Sequence, residues 1–322
     1  MKQATDQMDG QAIDGQVMDA AVSNLPRRGW SRQDWLLLVV ITTLGAMLRF
    51  YQLGVVPPGV QFDEAFNAID AAQVLHGNFP LFLPAKAGRE VLDTYFQAGL
   101  GALFGLNVYT LRLASALLGT ATVGATYLLL RRLLRRDSQL IAAFTSLTLA
   151  VSLWHIHFSH YGIRVISMPL LFCALFGSYW LGLFGRTRTR RLLAFALSGL
   201  LTGLSVWTNP TGRFVPFILA AFTLWLLWRH RKDELANRRW ALDGPLGGLL
   251  LTGALALVVF LPLGLEFYQH PEWFTGHAAE VSIFAERVSG GQPWRFLLTN
   301  VMHVLGMFSV AGDHEWAHGP AG

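Results

Sequence analysis

Hydrophobic residues along this chain form long runs that are separated by short polar stretches. A run of about 17 to 25 apolar residues is long enough to cross the hydrocarbon core of a bilayer as an α-helix. The predicted spans are residues 34–53, 108–130, 139–156, 163–185, 192–208, 214–228 and 244–265. The pattern therefore predicts an all-α polytopic membrane protein with about seven transmembrane helices.

One further apolar run, residues 91–106, is ambiguous because it is short and contains Asp93 and Gln97. Loops rich in Lys and Arg stay on the cytoplasmic side of a membrane, so basic stretches report the topology. The basic stretches are residues 27–32, 131–137, 186–191 and 229–239. All of them fall on one side only if the run does not cross the membrane. We therefore predict that it lies at the interface or dips back, and that the N-terminus is cytoplasmic.

The same layout divides the chain into a tail, residues 1–26, and a transmembrane module, residues 27–322. The tail is polar and has no apolar periodicity, which predicts a disordered cytoplasmic segment. The long outer loop, residues 54–107, is rich in Phe, Leu and Ala, which predicts short helices on the membrane face. A second outer segment, residues 266–322, ends without a finished helix, and we expect the chain to be a truncated form of a longer protein.

Composition supports a membrane protein and changes how the positive charge is interpreted. The chain is 53% hydrophobic and 14% charged, with a net charge of +5 and a mean hydropathy of +0.40. Soluble domains carry roughly 25% charged residues. Because the arginines flank apolar runs, they indicate membrane topology and not nucleic-acid binding. The single cysteine, Cys173, excludes an intramolecular disulfide.

Two adjacent carboxylates, Asp63 and Glu64, are the first candidates for chemistry. They follow the first predicted span by about ten residues, between Phe62 and Phe66, which places them near the membrane surface. A carboxylate in that setting can take a proton from a hydroxyl group, or it can hold a divalent cation. The alternative is an ordinary acidic helix start, where negative charge is favoured by the helix dipole.

A group of basic residues falls on the predicted outer side, against the positive-inside trend, and each member therefore needs a partner. The group consists of Lys86, Arg89, Arg112, Arg164 and Arg213. Arginines that converge on one membrane face are suited to bind a phosphate group bidentately. The alternative is that they pair within the fold with nearby acids, of which the candidates are Asp63, Glu64, Glu90 and Asp93.

Histidines offer little support for a metal site. His155, His157 and His160 lie in one short stretch, but their spacing does not define a ligand set, and we favour interfacial hydrogen bonding. His314 and His318, near Asp313, are similarly weak candidates. The sequence has no Walker loop and no nucleophile-elbow motif, so nucleotide-driven work and serine hydrolysis have no support.

The ordered motifs resemble those of the GT-C membrane glycosyltransferases, and most closely the group of protein O-mannosyltransferases and aminoarabinose transferases (family 39-like). The resemblance covers roughly residue 28 to the end. The motifs that carry it are Asp63-Glu64, Gly88-Arg89-Glu90, and residues 111–116, 157–164, 208–216 and 312–314. One departure is that many relatives have Lys-Pro-Pro where this chain has Gly88-Arg89-Glu90; relatives are also longer.

This resemblance implies a seven-span module with two surface helices in the first outer loop. It also implies a multi-pass protein of the bacterial plasma membrane that moves a hexosyl or pentosyl group from a polyprenyl-phosphate donor. Asp63, with Glu64 beside it, would activate the acceptor, and arginines, Arg89 and Arg164 among them, would stabilise the departing phosphate. The acceptor would be a lipid, a glycan or a protein, and the anomeric carbon would be inverted.

A secondary transporter or flippase is the alternative function. Transporters carry ionisable residues at mid-membrane depth and paired broken helices in two repeats. Here the middles of the predicted spans are mostly Leu, Ala, Gly and Thr, and no internal repeat is visible. A non-enzymatic scaffold is a third hypothesis, but it leaves the outer arginines without a purpose. We therefore favour the glycosyltransferase.

Overall fold

The computed structural model describes residues 29–85, 88–134, 138–230 and 237–306. The predicted tail, Lys86 and the 312–318 segment lie outside these ranges. Its helices are α1 (Arg32–Phe50), α2 (Phe62–Leu75), α3 (Leu92–Phe104), α4 (Val108–Leu133), α5 (Ser138–Val151), α6 (Leu153–Ser159), α7 (Ser167–Phe184), α8 (Arg188–Val206), α9 (Val215–Arg229), α10 (Pro245–Gln269), α11 (Pro271–Val281), α12 (Glu286–Ser289) and α13 (Pro293–Gly306). Short 3₁₀ turns, Arg164–Ile166 and Pro210–Phe214, precede α7 and α9.

The described helices confirm an all-α membrane fold but do not confirm the count of seven spans. Five are long and apolar enough to cross a bilayer, namely α1, α4, α10, and α7 and α9 with their 3₁₀ turns. The pair α5–α6, bent by 60°, would make a sixth. Helix α8 covers the remaining predicted span, but the arginines in its first turn lower its mean hydropathy. It nevertheless packs between α7 and α10 along its length.

Described residues of the basic stretches lie at one end of the bundle. Arg131, in the last turn of α4, pairs with Asp34 in the first turn of α1, with 2.6 Å between Nε and Oδ1. The same guanidinium donates to Ser138 at the start of α5. Arg191 of α8 pairs with Asp243, just before α10. We call this the basic end; the opposite end carries the predicted outer residues.

Helices α2 and α3 both lie at that opposite end. The N–H of Leu92, at the start of α3, donates to the carbonyl of Trp207, just after α8 (3.0 Å). At the other end of α3, the carbonyl of Gly105 accepts from Thr110 Oγ1 of α4 (2.8 Å). Because both ends of α3 are held at one end of the bundle, the segment does not cross it, in agreement with the prediction from charge.

A close-packed apolar core holds the second half of the bundle together. Its buried residues are Leu175, Tyr179, Leu183, Phe195, Val215, Leu219 and Leu226. Phe195 of α8 presses on α10 so closely that a Cβ at Gly248 would lie 2.3 Å from its ring. Small residues let helix backbones approach in this way, which is how membrane helices associate by packing. The core thereby fixes the end of α8 and the start of α9, between which Arg213 lies.

A buried arginine explains the bend between α5 and α6. Arg49, in the last turn of α1, is fully buried and donates to the carbonyls of Leu149 (3.1 Å) and Ala150 (3.0 Å) at the end of α5. Carbonyls that leave the helical ladder need such a donor. Ser152 then caps the start of α6. Sequence reasoning missed this role, which directs α6 towards the candidate site.

Candidate functional site

The adjacent carboxylates Asp63 and Glu64 lie in the first turn of α2 and point in different directions. Gln61 caps the helix, its side chain accepting from the Asp63 N–H (2.6 Å). Consecutive residues on a helix point about 100° apart. Asp63 is therefore exposed at the surface of the bundle end, whereas Glu64 turns inwards and is 1% exposed.

Glu64 forms a buried ion pair with Arg112 of α4, which we call the buried clamp. Arg112 Nε donates to Oε1 (2.8 Å) and Nη2 to Oε2 (3.0 Å), a bidentate arrangement. The guanidinium is fully buried and also donates to the carbonyls of Pro57 (2.9 Å) and Gly59 (2.8 Å). Because its charge is paired and its donors are occupied, Arg112 has little left to offer a ligand.

The peptide of Gly162 ties the turn after α6 to both surface helices. Its N–H donates to Glu64 Oε1 (3.1 Å), and its carbonyl accepts from Asn67 (2.7 Å) and Gln97 (3.1 Å). The neighbouring Tyr161 is 2% exposed. Burial raises the pKa of the Tyr161 phenol, and the negative charges of Asp63 and Glu64 add to the effect. Tyr161 is therefore a neutral group beside the carboxylates.

Arg89 is also engaged within the first outer loop. It pairs with Asp70, donates to Asn67 Oδ1 (2.8 Å) and lies 5.6 Å from the centre of the Phe66 ring. The glycine before it, Gly88, has a φ of +90°, and a Cβ there would lie 2.5 Å from the ring of Phe82. Only glycine fits this position without strain. The motif Gly88-Arg89-Glu90 thus turns the chain so that Arg89 faces α2.

Glu90 lies between two arginines, and we call these three residues the open cluster. Arg164 Nη1 donates to Glu90 Oε2 (2.9 Å), and Arg213 Nη2 lies 3.5 Å from Glu90 Oε1. The Glu90 side chain is 1% exposed, but those of Arg164 and Arg213 are 20% and 21% exposed. The arginines therefore reach solvent while the carboxylate between them does not.

The two arginines differ in what they have left to bind. Arg213 Nη1 donates to the carbonyl of Phe274 of α11 (2.7 Å), and its guanidinium lies 4.2 Å from the centre of that ring. Among the described residues, the Arg164 side chain donates a hydrogen bond to Glu90, through Nη1 alone. Asp63 lies near enough to Arg164 to interact with it electrostatically. An anion could therefore bind the remaining edge of Arg164 beside Asp63.

Asp93 of α3 is a further buried carboxyl group beside this cluster. It is 4% exposed, and its Oδ1 has no hydrogen-bond partner among the described residues. Burial raises the pKa of Asp93 to about 6, although the positive charge of Arg164 opposes the shift. At neutral pH the group is thus much closer to protonation than an ordinary aspartate.

The histidines have separate partners. His155 Nδ1 lies 2.9 Å from Arg49, His160 bonds the carbonyl of Leu48 (3.1 Å), and His157 stacks near Tyr161. Burial lowers the pKa of His160. Within the part of the chain that the structure describes, no group of three or more His, Cys, Asp and Glu side chains could hold a metal ion.

The structure thus brings most of the predicted site residues to one end of the bundle, but it places them in two different kinds of surroundings. Arg164 and Arg213 share Glu90 near Asp63, whereas Glu64, Arg89 and Arg112 lie in ion pairs of the fold. Sequence reasoning named Glu90 and Asp93 only as partners for arginines. The signal available for Glu90 was its place directly after Gly88-Arg89, on the predicted outer side.

Comparison of the sequence with known proteins identifies its family and several relatives. Residues 88–280, more than half of the chain, match the family described as dolichyl-phosphate-mannose-protein mannosyltransferase. An undecaprenyl phosphate-alpha-4-amino-4-deoxy-L-arabinose arabinosyl transferase of Pseudomonas paraeruginosa is 26% identical over 276 residues, which cover 83% of this chain and 47% of that protein. An uncharacterized protein of Aquifex aeolicus is 32% identical over 241 residues, or 72% of this chain and 45% of that protein. The chain spans about half the length of these curated relatives.

Solved structures share the fold. The Saccharomyces cerevisiae protein O-mannosyltransferase Pmt1-Pmt2 complex bound to the sugar donor matches with a TM-score of 0.61 at 20% identity, covering 79% of this chain and 36% of that chain. ArnT from Cupriavidus metallidurans bound to undecaprenyl phosphate matches with a TM-score of 0.58 at 18% identity, covering 87% and 52%. Both likenesses concern the arrangement of helices and establish the GT-C type of fold.

Proposed function

Because the chain belongs to the dolichyl-phosphate-mannose-protein mannosyltransferase family, we propose that it transfers a sugar from a polyprenyl-phosphate carrier to an acceptor at the outer face of a bacterial plasma membrane. The observation that carries this proposal is the open cluster: two partly exposed arginines share Glu90, and one of them, Arg164, lies near the exposed Asp63 at the end opposite the described basic residues. That arrangement offers an anion site next to a base, which is what the transfer needs.

The proposed reaction is one displacement at the anomeric carbon of the sugar. The acceptor oxygen or nitrogen attacks from the side opposite the phosphate, and the bond from that carbon to the phosphate oxygen breaks. The electron pair stays on this oxygen, which leaves as lipid monophosphate, and the acceptor proton passes to the carboxylate of Asp63. Because attack and departure occur on opposite faces, the configuration is inverted. The sugar is a hexosyl or pentosyl group, and the acceptor is a lipid, a glycan or a protein.

The arginines have two different roles in this proposal, which follow from their surroundings. Arg164 and Arg213 bind the donor phosphate and stabilise the charge that develops on it, since charge-assisted and bidentate bonds to phosphate are strong. Arg89 and Arg112, which the structure pairs with acids, hold the outer loop in place, and Glu64 positions the helix that carries Asp63. Lys86 lies outside the described ranges, and its role in donor binding stays a proposal from the sequence.

The transporter alternative finds no specific support in the described spans. A transporter would place ionisable groups at mid-membrane depth. Within the described spanning helices, including α8 and the α5–α6 pair, every Asp, Glu, Lys and Arg lies in the first or last two turns. These charged side chains therefore lie towards the two ends of the described spanning helices and are absent from their middles.

Transfer of radiolabelled sugar from undecaprenyl-phosphate-linked donor pools in membranes tests this function. We expect Asp63→Asn to lower the rate by a factor of about 100 to 10,000, the range typical of a lost general base. The matched control is Glu272→Gln, which removes an exposed carboxylate of α11 outside the site. Full activity in Asp63→Asn would remove Asp63 from the mechanism. Transfer absent from the wild-type chain would contradict the proposed function of this chain.

A further inference from the structure

We propose that Glu90 determines which lipid phosphate the open cluster prefers, favouring the phosphodiester of the sugar donor over the lipid monophosphate that the reaction releases. This inference rests on the proposed function and assigns a specificity-determining role to a residue that takes no part in the chemical step. Its basis is the position of one buried carboxylate between two arginines that reach solvent.

The geometry keeps the charge of Glu90 fixed and close to any bound anion. Each of its oxygens faces a different guanidinium, at 2.9 Å for Arg164 and 3.5 Å for Arg213. With 1% of its side chain exposed, the carboxylate is poorly screened by water or salt. An anion that approaches the outer edges of the same guanidinium groups therefore meets the field of Glu90 directly behind them.

Local charge then discriminates between the two lipids. Arg164 and Arg213 contribute one positive charge each and Glu90 one negative charge, and the carboxyl groups of Asp63 and Asp93 lie near enough to Arg164 to interact with it. The neighbouring arginines add little, since Arg89 is paired with Asp70 and Arg112 with Glu64. A lipid-linked sugar phosphodiester carries a single negative charge. A phosphate monoester carries about 1.5 to 2 negative charges at neutral pH, and the second charge is repelled by Glu90.

The consequence concerns turnover. The repulsion between Glu90 and the bound phosphate increases when the leaving phosphate gains its second negative charge. The product is therefore bound less tightly than two arginines without Glu90 would bind it. A site built from arginines without this carboxylate would bind the monophosphate most strongly and would be inhibited by it. Glu90 therefore favours exchange of product for new donor.

Binding of two probes to the full chain in detergent tests the inference. The probes are undecaprenyl phosphate and its methyl phosphodiester, which carries one negative charge and no sugar. We expect Glu90→Gln to improve the affinity for the monophosphate relative to the diester by about tenfold, the effect of one modest charge interaction. Glu90→Asp keeps the charge and should leave the ratio near that of the wild type. Glu272→Gln, an equal charge change at the same end, should also leave it unchanged.

The outcomes separate the inference from the function on which it rests. An unchanged ratio in a folded Glu90→Gln protein, or an equal shift in Glu90→Asp, would overturn the role of Glu90 while lipid phosphate binding stands. Binding of neither probe to the wild-type protein would overturn the proposed function as well. If Glu90→Gln does not fold, Arg213→Gln replaces it. Loss of that positive charge should move the ratio towards the diester, and no shift or the opposite shift would overturn the inference.

Discussion

The buried clamp and the open cluster use the same two residue types at the same end of the bundle, but they differ in burial and in the use of their donors. In the clamp, Glu64 binds Arg112 bidentately and both side chains are buried. In the open cluster, two arginines share Glu90, and each keeps about a fifth of its side chain exposed. The comparison teaches that an arginine is available to a ligand only where the fold leaves donors unused and within reach of solvent.

The physical basis of the difference is the cost of desolvation. A charge removed completely from water must be paired and hydrogen-bonded by the protein, so a buried pair is costly to break but has no capacity for a ligand. A partly exposed guanidinium loses less hydration and retains donors for an anion. Mutations in the clamp should therefore change stability, and mutations in the open cluster should change binding.

Breaking the clamp should produce the largest effect. Glu64→Ala leaves Arg112 as a buried charge without its ion-pair partner, and we expect a loss of about 3–5 kcal/mol in the free energy of unfolding. Denaturation of the detergent-solubilised protein measures this change. A double-mutant cycle with Arg112→Ala should show strong coupling between the two residues. A loss below about 1 kcal/mol, the size typical of exposed pairs, would mean that Glu64 and Arg112 do not form a buried clamp.

Asp93 extends the comparison, because it is buried like Glu64 but has no ion pair among the described residues. Its pKa rises from 3.8 to about 6 on folding, so its contribution to stability is present below pH 3.8 and is lost as the pH rises through 6. We expect the change Asp93→Asn to raise the free energy of unfolding by about 2 kcal/mol more at pH 8 than at pH 4, relative to the wild type. Unfolding curves at the two pH values test this, and parallel curves for both proteins would contradict it.

Arg164→Gln should affect binding and spare the fold. We expect a loss of about tenfold to a hundredfold in affinity for undecaprenyl phosphate, the range of a charge-assisted hydrogen bond. The melting temperature should change little, because Arg164 is partly exposed and Glu90 keeps its contact with Arg213. Lipid titration and thermal denaturation of the same preparation provide both readouts. A variant that unfolds but binds normally would reverse the assignment of the two regions.

The smallest expected effect concerns the cap of α4, the helix that carries Arg112. Asn107 accepts from the Thr110 N–H (3.1 Å), and the Thr110 hydroxyl accepts from the Asn107 N–H (2.9 Å). Asn107→Ala should cost about 1 kcal/mol of unfolding free energy, as lost caps typically do. Chemical denaturation alongside Glu64→Ala shows whether stability at this end arises from the ion pair. A larger loss from Asn107→Ala than from Glu64→Ala would mean that the stability at this end arises mainly from the start of α4.

Much of the fold could be predicted because it depends on local sequence. Apolar runs and flanking arginines marked the spans, and the distribution of basic stretches excluded a crossing by residues 91–106, as α3 shows. The count of seven spans is not confirmed, since the mean hydropathy of α8 is lowered by its own arginines. The bend between α5 and α6 was missed because its cause, Arg49, is about a hundred residues away in the chain.

The sequence by itself determined that this is a helical membrane protein with carboxylates and arginines on one side, and its motifs were sufficient to indicate the family. Only the tertiary structure decided which arginine meets which acid. Arg112 and Glu64 are 48 positions apart, and Arg213 and Glu90 are 123 apart. Pairing over such separations depends on how helices pack, and burial then decides whether a charge is consumed by the fold or left for a ligand. Residue type and order along the chain specify neither the pairing nor the burial of a side chain, because both arise from the helices that pack around it.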